Sequence, residues 1–156
     1  NADNIADMKK YGDVDIVQLA MNITTASHSG FSYCCENGIG TFIRSPLAWG
    51  QAFGKYANNV PDFPFGDVRH GVDKQKIQSD HQQGLAFDFL WDESTGRTPV
   101  QAVLRYLIDT PGVGAVIPGT KNIEHLLDSV GAGTCAHMSE AELIKVRSIK
   151  QSLMAC

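Results

Sequence analysis

The most informative stretch of this sequence is GIGTFIRSPLAWG, residues 38–50. Its first part, Ile39 to Ile43, is predicted to form a β-strand because β-branched and aromatic residues dominate it. The strand ends in the polar turn Arg44-Ser45-Pro46, and Gly50 then allows another group to approach the backbone closely. Taken alone, such a turn is more often an ordinary loop than a binding site.

Two more segments of the same kind flank this strand along the chain. Val14 to Leu19 and Val113 to Ile117 are predicted strands, and the second is nearly all apolar, as strands buried on both faces are. Helices are predicted between them, and strands alternating with helices indicate a parallel sheet. Either a doubly wound sheet or part of a (β/α)8 barrel fits. A whole barrel needs roughly 250 residues, whereas this chain has 156.

The strongest helix signal runs from Thr98 to Asp109. Thr98 is predicted to cap this helix, Pro99 suits its first position, and Gln101 completes a capping box. A helix from about His81 to Trp91 is predicted before it. Residues 46–80 are predicted to be irregular, because Gly, Pro, Asn and Asp are frequent there; an irregular loop of that length is usually functional or mobile.

Two further helices are predicted later in the chain. Asn122 is expected to cap the first, with Leu126, Leu127 and Val130 turned inward. Ser139 and Glu142 form a second capping box at the start of the other helix. The buried stripe expected for that last helix consists of Leu143, Val146, Ile149 and Leu153.

Composition argues against several classes of function. Apolar residues make up 43% of the chain and charged residues 19%, which is ordinary for a single globular domain. The net charge of −4 argues against nucleic acid as a partner, because phosphate binding favours a basic surface. No apolar run approaches the roughly 20 residues of a membrane span. The cysteines, Cys34, Cys35, Cys135 and Cys156, form no C-x-x-C pair, which argues against a metal or redox motif and favours a cytoplasmic location.

Ligands of parallel-sheet proteins bind at the carboxyl ends of the strands, and polar residues follow two of the predicted strands there. Gln18, near the end of the first strand, suits a ligand with both a donor and an acceptor, although a satisfied core glutamine is an equally good interpretation. The turn Gly119-Thr120-Lys121 leads into a helix start, where backbone N–H groups and the positive helix end favour an anion. An ordinary helix cap is the more common outcome for that pattern.

Several motifs follow one another along nearly the whole chain. They are VDIVQL (14–19) with Asn22, the stretch 38–50, Gly54-Lys55-Tyr56, Phe63-Pro64, Asp67-Val68-Arg69, PVQAVLRYL (99–107) and VIPGTKN (116–122), continuing to Gly131-Ala132. Together, in this order and with matching gaps, these segments resemble the aldo-keto reductase family, in the branch with an Arg-x-Pro-Leu loop and an Ile-Pro-Gly turn.

The resemblance implies a cofactor site, with NADP(H) as the cofactor and NAD(H) as the alternative. Gln18 would hold the nicotinamide carboxamide. Ser45, Leu47 and Gly50 would line the pyrophosphate, and Arg44 and Pro46 in the same loop would also contact the cofactor. Gly119, Thr120 and Lys121 would hold the adenosine phosphate, with His125, Asp128 and Ser129 around the adenine and ribose. The family usually has Arg or Gln, Glu and Asn at the last three of these positions, and many members have an aromatic residue where Arg44 stands.

The family's catalytic tetrad of Asp, Tyr, Lys and His comes from the first four barrel strands. None of Tyr11, Tyr33, Tyr56 and Tyr106 sits in that motif, so no catalytic residue and no metal ligand is predicted. Residues 1–156 are therefore interpreted as a single incomplete domain, the C-terminal half of such a barrel. The chain begins with Asn1 rather than Met, which is also expected of a processed or truncated protein.

The fold class predicted is α/β, a partial (β/α)8 TIM barrel with roughly the last three βα units and a C-terminal helix. The predicted function is the NADP(H)-binding portion of an oxidoreductase that reduces aldehydes or ketones to alcohols, with a small carbonyl substrate in the complete protein. The alternative is a non-enzymatic module on a half-barrel that binds a nucleotide or another protein. Self-association through exposed barrel edges is expected, because unpaired strand edges can pair with another chain.

Overall fold

The computed structural model describes residues 1–25 and 29–154. Its helices and strands follow in the order α1 (Ala2–Met8), β1 (Ile16–Ala20), α2 (Ser29–Glu36), β2 (Gly40–Arg44), α3 (Lys74–Leu85), α4 (Pro99–Ile108), β3 (Ala115–Ile117), α5 (Ile123–Gly131) and α6 (Glu140–Met154). Two 3-10 segments, Ala48–Phe53 and Asp88–Leu90, lie on either side of α3.

The three strands form one parallel sheet in the order β1-β2-β3. Gln18 pairs with Phe42 in the register, and Arg44 pairs with both Ala20 and Ile117. The predicted α/β fold with a parallel sheet is thus confirmed. Because the strands run the same way, the loops that follow β2 and β3 leave the sheet at the same edge.

The two faces of this sheet have different surroundings. On one face, Leu19 and Ile43 are buried in a cluster with Cys34 of α2 and Leu107 of α4. On the other face Ile16 is 54% exposed and Ile117 is 39% exposed. The prediction that the third strand is buried on both faces is therefore wrong: in the described part of the chain no element lies against that side of β3.

Helix α4 packs between two hydrophobic clusters, and its start is the capping box that the sequence predicts. The Thr98 hydroxyl accepts from the Gln101 N–H at 3.1 Å, and the Gln101 side chain accepts in turn from the Thr98 N–H. Val103 of α4 lies in a second cluster, formed with Phe87, Leu90, Met138 and Val146.

Helix α6 also matches its prediction. Ser139 and Glu142 exchange the hydrogen bonds of a capping box, Glu142 N–H to the Ser139 hydroxyl and Ser139 N–H to the Glu142 carboxylate. The predicted stripe packs on the second cluster: Val146 is fully buried, and Leu143, Ile149 and Leu153 are partly buried.

Helix α5 is capped as predicted but is not packed as predicted. The Asn122 side chain accepts from the N–H groups of Glu124 and His125 at 2.7 and 3.1 Å. Leu126, Leu127 and Val130, expected to point inward, are 44%, 65% and 63% exposed. Within residues 1–25 and 29–154 no element covers their apolar side. Amphipathic spacing alone therefore predicted burial for side chains that are exposed.

Helix α3 begins well before the predicted helix at His81 and ends at Leu85, ahead of Trp91. Part of the predicted irregular stretch 46–80 is therefore helical. The Asp73 side chain caps this helix by accepting from the Gln75 N–H at 3.0 Å. Its buried residues are Ile77, His81 and Gly84, of which only one is apolar and large, so the hydrophobic periodicity is too weak to reveal it.

No helix within the described ranges is both long and apolar enough to cross a bilayer. In the same ranges, His, Cys, Asp and Glu side chains form no group of three that could hold a metal ion.

Burial raises the pKa of the Cys34 thiol, with a smaller contribution from Cys35. Cys156 lies outside the described residues.

Candidate functional site

A cavity of about 660 Å³ opens at the carboxyl edge of the sheet. It lies between the loop after β2, the first turn of α4, the loop after β3 and the first two turns of α5. The residues that line it are Ser45, Pro46, Leu47, Ala48, Trp49, Gly50, Phe53, Lys55, Arg69, Pro99, Val100, Pro118, Gly119, Thr120, His125, Asp128 and Ser129. Its volume falls in the range typical of small-molecule and cofactor sites.

The wall that follows β2 has an unusual backbone. Ser45, Ala48 and Trp49 have positive φ angles of 55°, 45° and 56°, which residues other than glycine rarely adopt. The loop holds itself in this shape through the bonds Ala48 N–H to Ser45 O at 3.1 Å and Gly50 N–H to Leu47 O at 2.8 Å. Strained backbone of this kind persists only where the surrounding structure maintains it, and such positions cluster at functional sites.

Gly50 is required where it stands. Its φ is 94°, and a Cβ there would lie 2.8 Å from the Cβ of Lys55. The Lys55 N–H donates to the Gly50 carbonyl at 3.0 Å, so the chain folds back and brings the Lys55 side chain to the cavity. Within the described residues, Lys55 makes no salt bridge, and its ammonium lies 5.6 Å from the centre of the Tyr56 ring.

Arg69 is held rigidly at the cavity. Its guanidinium donates to the Asp67 carboxylate at 2.8 and 2.7 Å and to the Tyr56 hydroxyl at 3.0 Å, and it stacks on the Phe63 ring with 4.1 Å to the centre. These hydrogen bonds lower the pKa of Asp67 to about 2 and raise that of Arg69. At neutral pH the pair is therefore ionised, and Lys55 is the cation of this wall without a carboxylate partner among the described residues.

The opposite wall, formed by the turn after β3 and by α5, is open. A Cβ added at Gly119 would meet nothing within 4 Å. The Thr120 hydroxyl accepts from the Asn122 N–H at 3.1 Å. The sequence pattern suggested that N–H groups of the helix start are available to an anion, but those of Glu124 and His125 are already taken by Asn122. An anion here would therefore contact the Thr120 hydroxyl, the backbone near Gly119 and the His125 ring.

Asp128 joins this wall to α4. Its carboxylate accepts from the Thr98 hydroxyl at 2.7 Å, so the residue that caps α4 also fixes the acidic side chain that lines the cavity. The Ser129 hydroxyl donates to the His125 carbonyl one turn earlier, at 2.8 Å. Both side chains are half-buried and face the cavity from one side of α5.

Most of the site residues predicted from the sequence lie together in this cavity: Ser45, Pro46, Leu47, Gly50, Gly119, Thr120, His125, Asp128 and Ser129. Gln18, Arg44 and Lys121 do not line it. Gln18 and Arg44 are exposed on the open face of the sheet, since they pair with Phe42 and Ile117 in the strand register. Lys121 is exposed, one residue before the cap of α5.

Several lining residues had no role predicted from the sequence, chiefly Lys55, Arg69, Trp49 and Phe53. Lys55 and Arg69 belong to motifs that support the family resemblance, but the path of a long loop cannot be read from residue types. One available signal was a Gly followed five positions later by a Lys, since a glycine with positive φ permits the close reversal seen here.

Comparison with known proteins gives two findings. The model of the Aldo/keto reductase family matches residues 1–151. Among solved structures, the chain is similar to the thermostable aldo-keto reductase Tm1743, crystallised in complex with the inhibitor epalrestat, with a TM-score of 0.63 and 19% identity. The similarity covers 94% of this chain and 43% of that one, so this chain spans less than half the length of the structure it matches.

Proposed function

The chain belongs to the aldo/keto reductase family, and on that premise we propose that its cavity binds a nicotinamide dinucleotide. NADP(H) is the proposed cofactor, with NAD(H) as the alternative. The observation that carries this proposal is the convergence of the strained β2 loop, the open β3 turn and the first turns of α5 on one cavity at the carboxyl edge of a parallel sheet. Ligands bind at that edge in parallel α/β folds.

The residues of the cavity fit such a cofactor. A dinucleotide needs cations and hydroxyls for its phosphates and apolar surface for its rings. Lys55 and Arg69 provide positive charge along one wall, and the Thr120 hydroxyl and the His125 ring provide polar contacts on the other. The uncrowded backbone at Gly119 allows a phosphate to come close. Asp128 can accept hydrogen bonds from ribose hydroxyls, since its carboxylate has a second oxygen beyond the one bonded to Thr98.

The parent activity that we propose is the reduction of an aldehyde or ketone to an alcohol. When bound, the nicotinamide supplies hydride. The residues of this chain would bind and orient the dinucleotide, and Gln18 and Arg44 on the open face of the sheet would reach it only where further barrel strands complete the site. In this proposal the chain corresponds to roughly the last three βα units of a barrel. The match covers 43% of Tm1743, which agrees with a part of that size.

A second candidate function is nucleotide binding without catalysis. The observation that favours it is that the described lining residues include no tyrosine to donate a proton to a carbonyl oxygen. General acid catalysis is worth about 10²–10⁴ in rate. The length of the native open reading frame separates the two candidates, because the reductase also needs the first half of the barrel. For the purified chain with NADPH and a panel of aldehydes we expect no turnover under either candidate. Turnover near the enzyme median of about 10 per second would contradict the incomplete barrel and exclude the binding module.

Binding itself is tested by titrating the chain with NADPH and NADH. Trp49 lines the cavity and is 67% exposed, so its fluorescence should be quenched by a bound nicotinamide dinucleotide. Lys55→Met should weaken NADPH binding about tenfold to a hundredfold, because a charge-assisted hydrogen bond contributes about 1.5–3 kcal/mol.

Lys74→Met is the matched control, since Lys74 is an exposed lysine that pairs with Asp62 and does not line the cavity. Equal loss of affinity in the two variants would show that only net charge matters and would contradict a specific site. No saturable quenching with either nucleotide would refute the proposed function.

A further inference from the structure

Helix α3 supports the β2 wall of the cavity at very close range. A Cβ on Gly84 would lie 2.0 Å from the Gln51 carbonyl oxygen and 2.7 Å from the Gly54 nitrogen. On the other side of the contact, a Cβ on Gly54 would lie 2.5 Å from the Leu85 side chain. The two backbones touch without side chains between them, so α3 fixes the loop that carries Trp49, Gly50 and Lys55.

His81 is the titratable residue within this contact, and it is 4% exposed. Its Nδ1 accepts from the Tyr56 N–H at 3.1 Å. The imidazole packs against the Tyr56 ring with 5.0 Å between centres. A neutral ring with its proton on Nε2 leaves the Nδ1 lone pair to accept the bond from the Tyr56 N–H.

We propose that His81 is a positioning residue that latches the cavity loop through the Tyr56 N–H, and that protonation of its ring releases the latch. A protonated ring carries hydrogen on both nitrogens, so Nδ1 can no longer accept from the Tyr56 N–H. The Tyr56 amide then loses its partner, and the segment from Gly50 to Tyr56 loses one of its attachments to α3. The consequence for the cofactor rests on the proposed function of the cavity.

The charges around His81 favour the neutral ring near pH 7. Burial lowers the pKa of His81, and the positive charges of Arg69 and Lys55 on the facing loop lower it further. Asp80, its neighbour on α3, and the Gly50 backbone act in the opposite direction. The folded-state pKa is therefore below the unfolded value of about 6.5. The latch is intact above that pH and is lost as the pH falls through the lowered pKa.

The test measures NADH binding by the whole chain from pH 7.5 to 5.5. NADH is chosen because it lacks the 2′-phosphate, which titrates in this range itself. The wild type should lose about threefold to tenfold in affinity, since one linked proton changes binding by at most about tenfold per pH unit. His81→Asn carries a carboxamide oxygen near the position of Nδ1 and does not titrate, so it should keep the neutral-pH affinity and lose the pH dependence. An unchanged slope in His81→Asn would overturn the proposal.

A second readout does not depend on cofactor binding. Amide hydrogen exchange of the segment 50–56, compared between wild type and His81→Asn at each pH to cancel the intrinsic rate, should increase in the wild type about threefold or more between pH 7.5 and 5.5. The segment 100–107 of α4 is the internal reference and should show no such difference. If NADH never binds but the exchange difference appears, the proposed function fails and the latch stands. If segment 50–56 shows no difference between the two proteins, the latch is refuted.

Discussion

Helices α4 and α5 have nearly the same sequence pattern but lie in opposite environments. Each begins at a side-chain cap, Thr98 or Asn122, and each carries an apolar stripe at helical spacing. In α4 the stripe is buried in both hydrophobic clusters, whereas α5 has no buried residue at all. Spacing specifies which side of a helix is apolar; whether that side is covered depends on what the rest of the fold places against it.

The two helices also differ in the hydrogen bonds that join them to the rest of the chain. The last turn of α4 is tied down by Arg105, which donates to Asp109 and to the carbonyls of Ala132 and Gly133, just after α5. Asp109 in turn accepts from the Met138 N–H at 2.8 Å. Helix α5 depends on its cap, on the Thr98–Asp128 bond and on this arginine beyond its end. We therefore expect α4 to report global stability and α5 to report local order.

The largest contrast should come from matched leucine substitutions. Leu107→Ala in α4 removes a fully buried side chain and should cost about 3 kcal/mol of unfolding free energy. Leu127→Ala in α5 removes one that is 65% exposed and should change it by less than about 0.5 kcal/mol. Urea unfolding of both variants measures the difference. Similar losses would show that α5 is covered in solution, for example by a second copy of the chain.

The next effect concerns the hydrogen bonds that Asp109 accepts at the end of α4. Burial alone would raise the pKa of Asp109, but hydrogen bonds from Arg105, the Met138 N–H and His137 outweigh it and lower the pKa to about 2. Because the unfolded value is about 3.9, Asp109 stabilises the fold by about 2 kcal/mol above pH 4. That contribution should disappear as the pH falls from about 4 to 2.

Asp109→Asn should remove most of this dependence and cost a similar amount at pH 7. Asp3→Asn, at an exposed carboxyl of α1, is the control and should leave the profile unchanged. Thermal unfolding from pH 7 to 2 provides the measurement. A profile for Asp109→Asn that parallels the wild type would exclude Asp109 as the source of the acid sensitivity.

Removal of the two caps should separate global from local stability. Thr98→Ala removes the cap of α4 and the bond to Asp128 and should cost about 1–2 kcal/mol globally. Asn122→Ala should leave the unfolding midpoint nearly unchanged while amide exchange at Glu124 and His125 rises about fivefold, since a cap contributes about 1 kcal/mol locally. Equal shifts of the midpoint would mean that α5 unfolds together with α4.

The smallest effect should appear at His125, on the α5 side of the cavity. If NADPH binds as proposed, the His125 ring donates a hydrogen bond to its 2′-phosphate, a group that NADH lacks. His125→Ala should therefore weaken NADPH binding about threefold, as expected for loss of one hydrogen bond, and leave NADH binding unchanged. Titration of the variant with both nucleotides measures the difference. Equal effects on the two nucleotides would place the phosphate elsewhere.

Those parts of the fold that depend on neighbours in the sequence could be predicted. The capping boxes at Thr98 and Ser139 and the cap at Asn122 each need only three or four residues in a row, and all are present. The parallel sheet followed from the alternation of strands and helices. The resemblance then grouped most of the residues of the cavity before any geometry was available.

What the sequence did not reveal depends on distant contacts. The start of α3 was missed because its buried face consists of Ile77, His81 and Gly84, and two of these carry no hydrophobic signal. The inward packing of Leu126 and Leu127 was wrong because their spacing cannot report an uncovered side. Lys55 and Arg69 were left without roles, since a loop reversal at Gly50 and stacking on Phe63 bring them to the cavity.

The left-handed backbone at Ser45, Ala48 and Trp49 has a consequence for laboratory evolution. Each such residue costs of order 1 kcal/mol relative to a glycine, which adopts that conformation freely. A screen that rewards heat resistance alone should therefore enrich glycine at these positions. The same replacements would remove side chains that line the cavity and loosen its wall. Selection for heat resistance should accordingly favour glycine in this short loop, whereas selection for ligand recognition should retain its side chains. Sequences recovered from the two screens should differ there first.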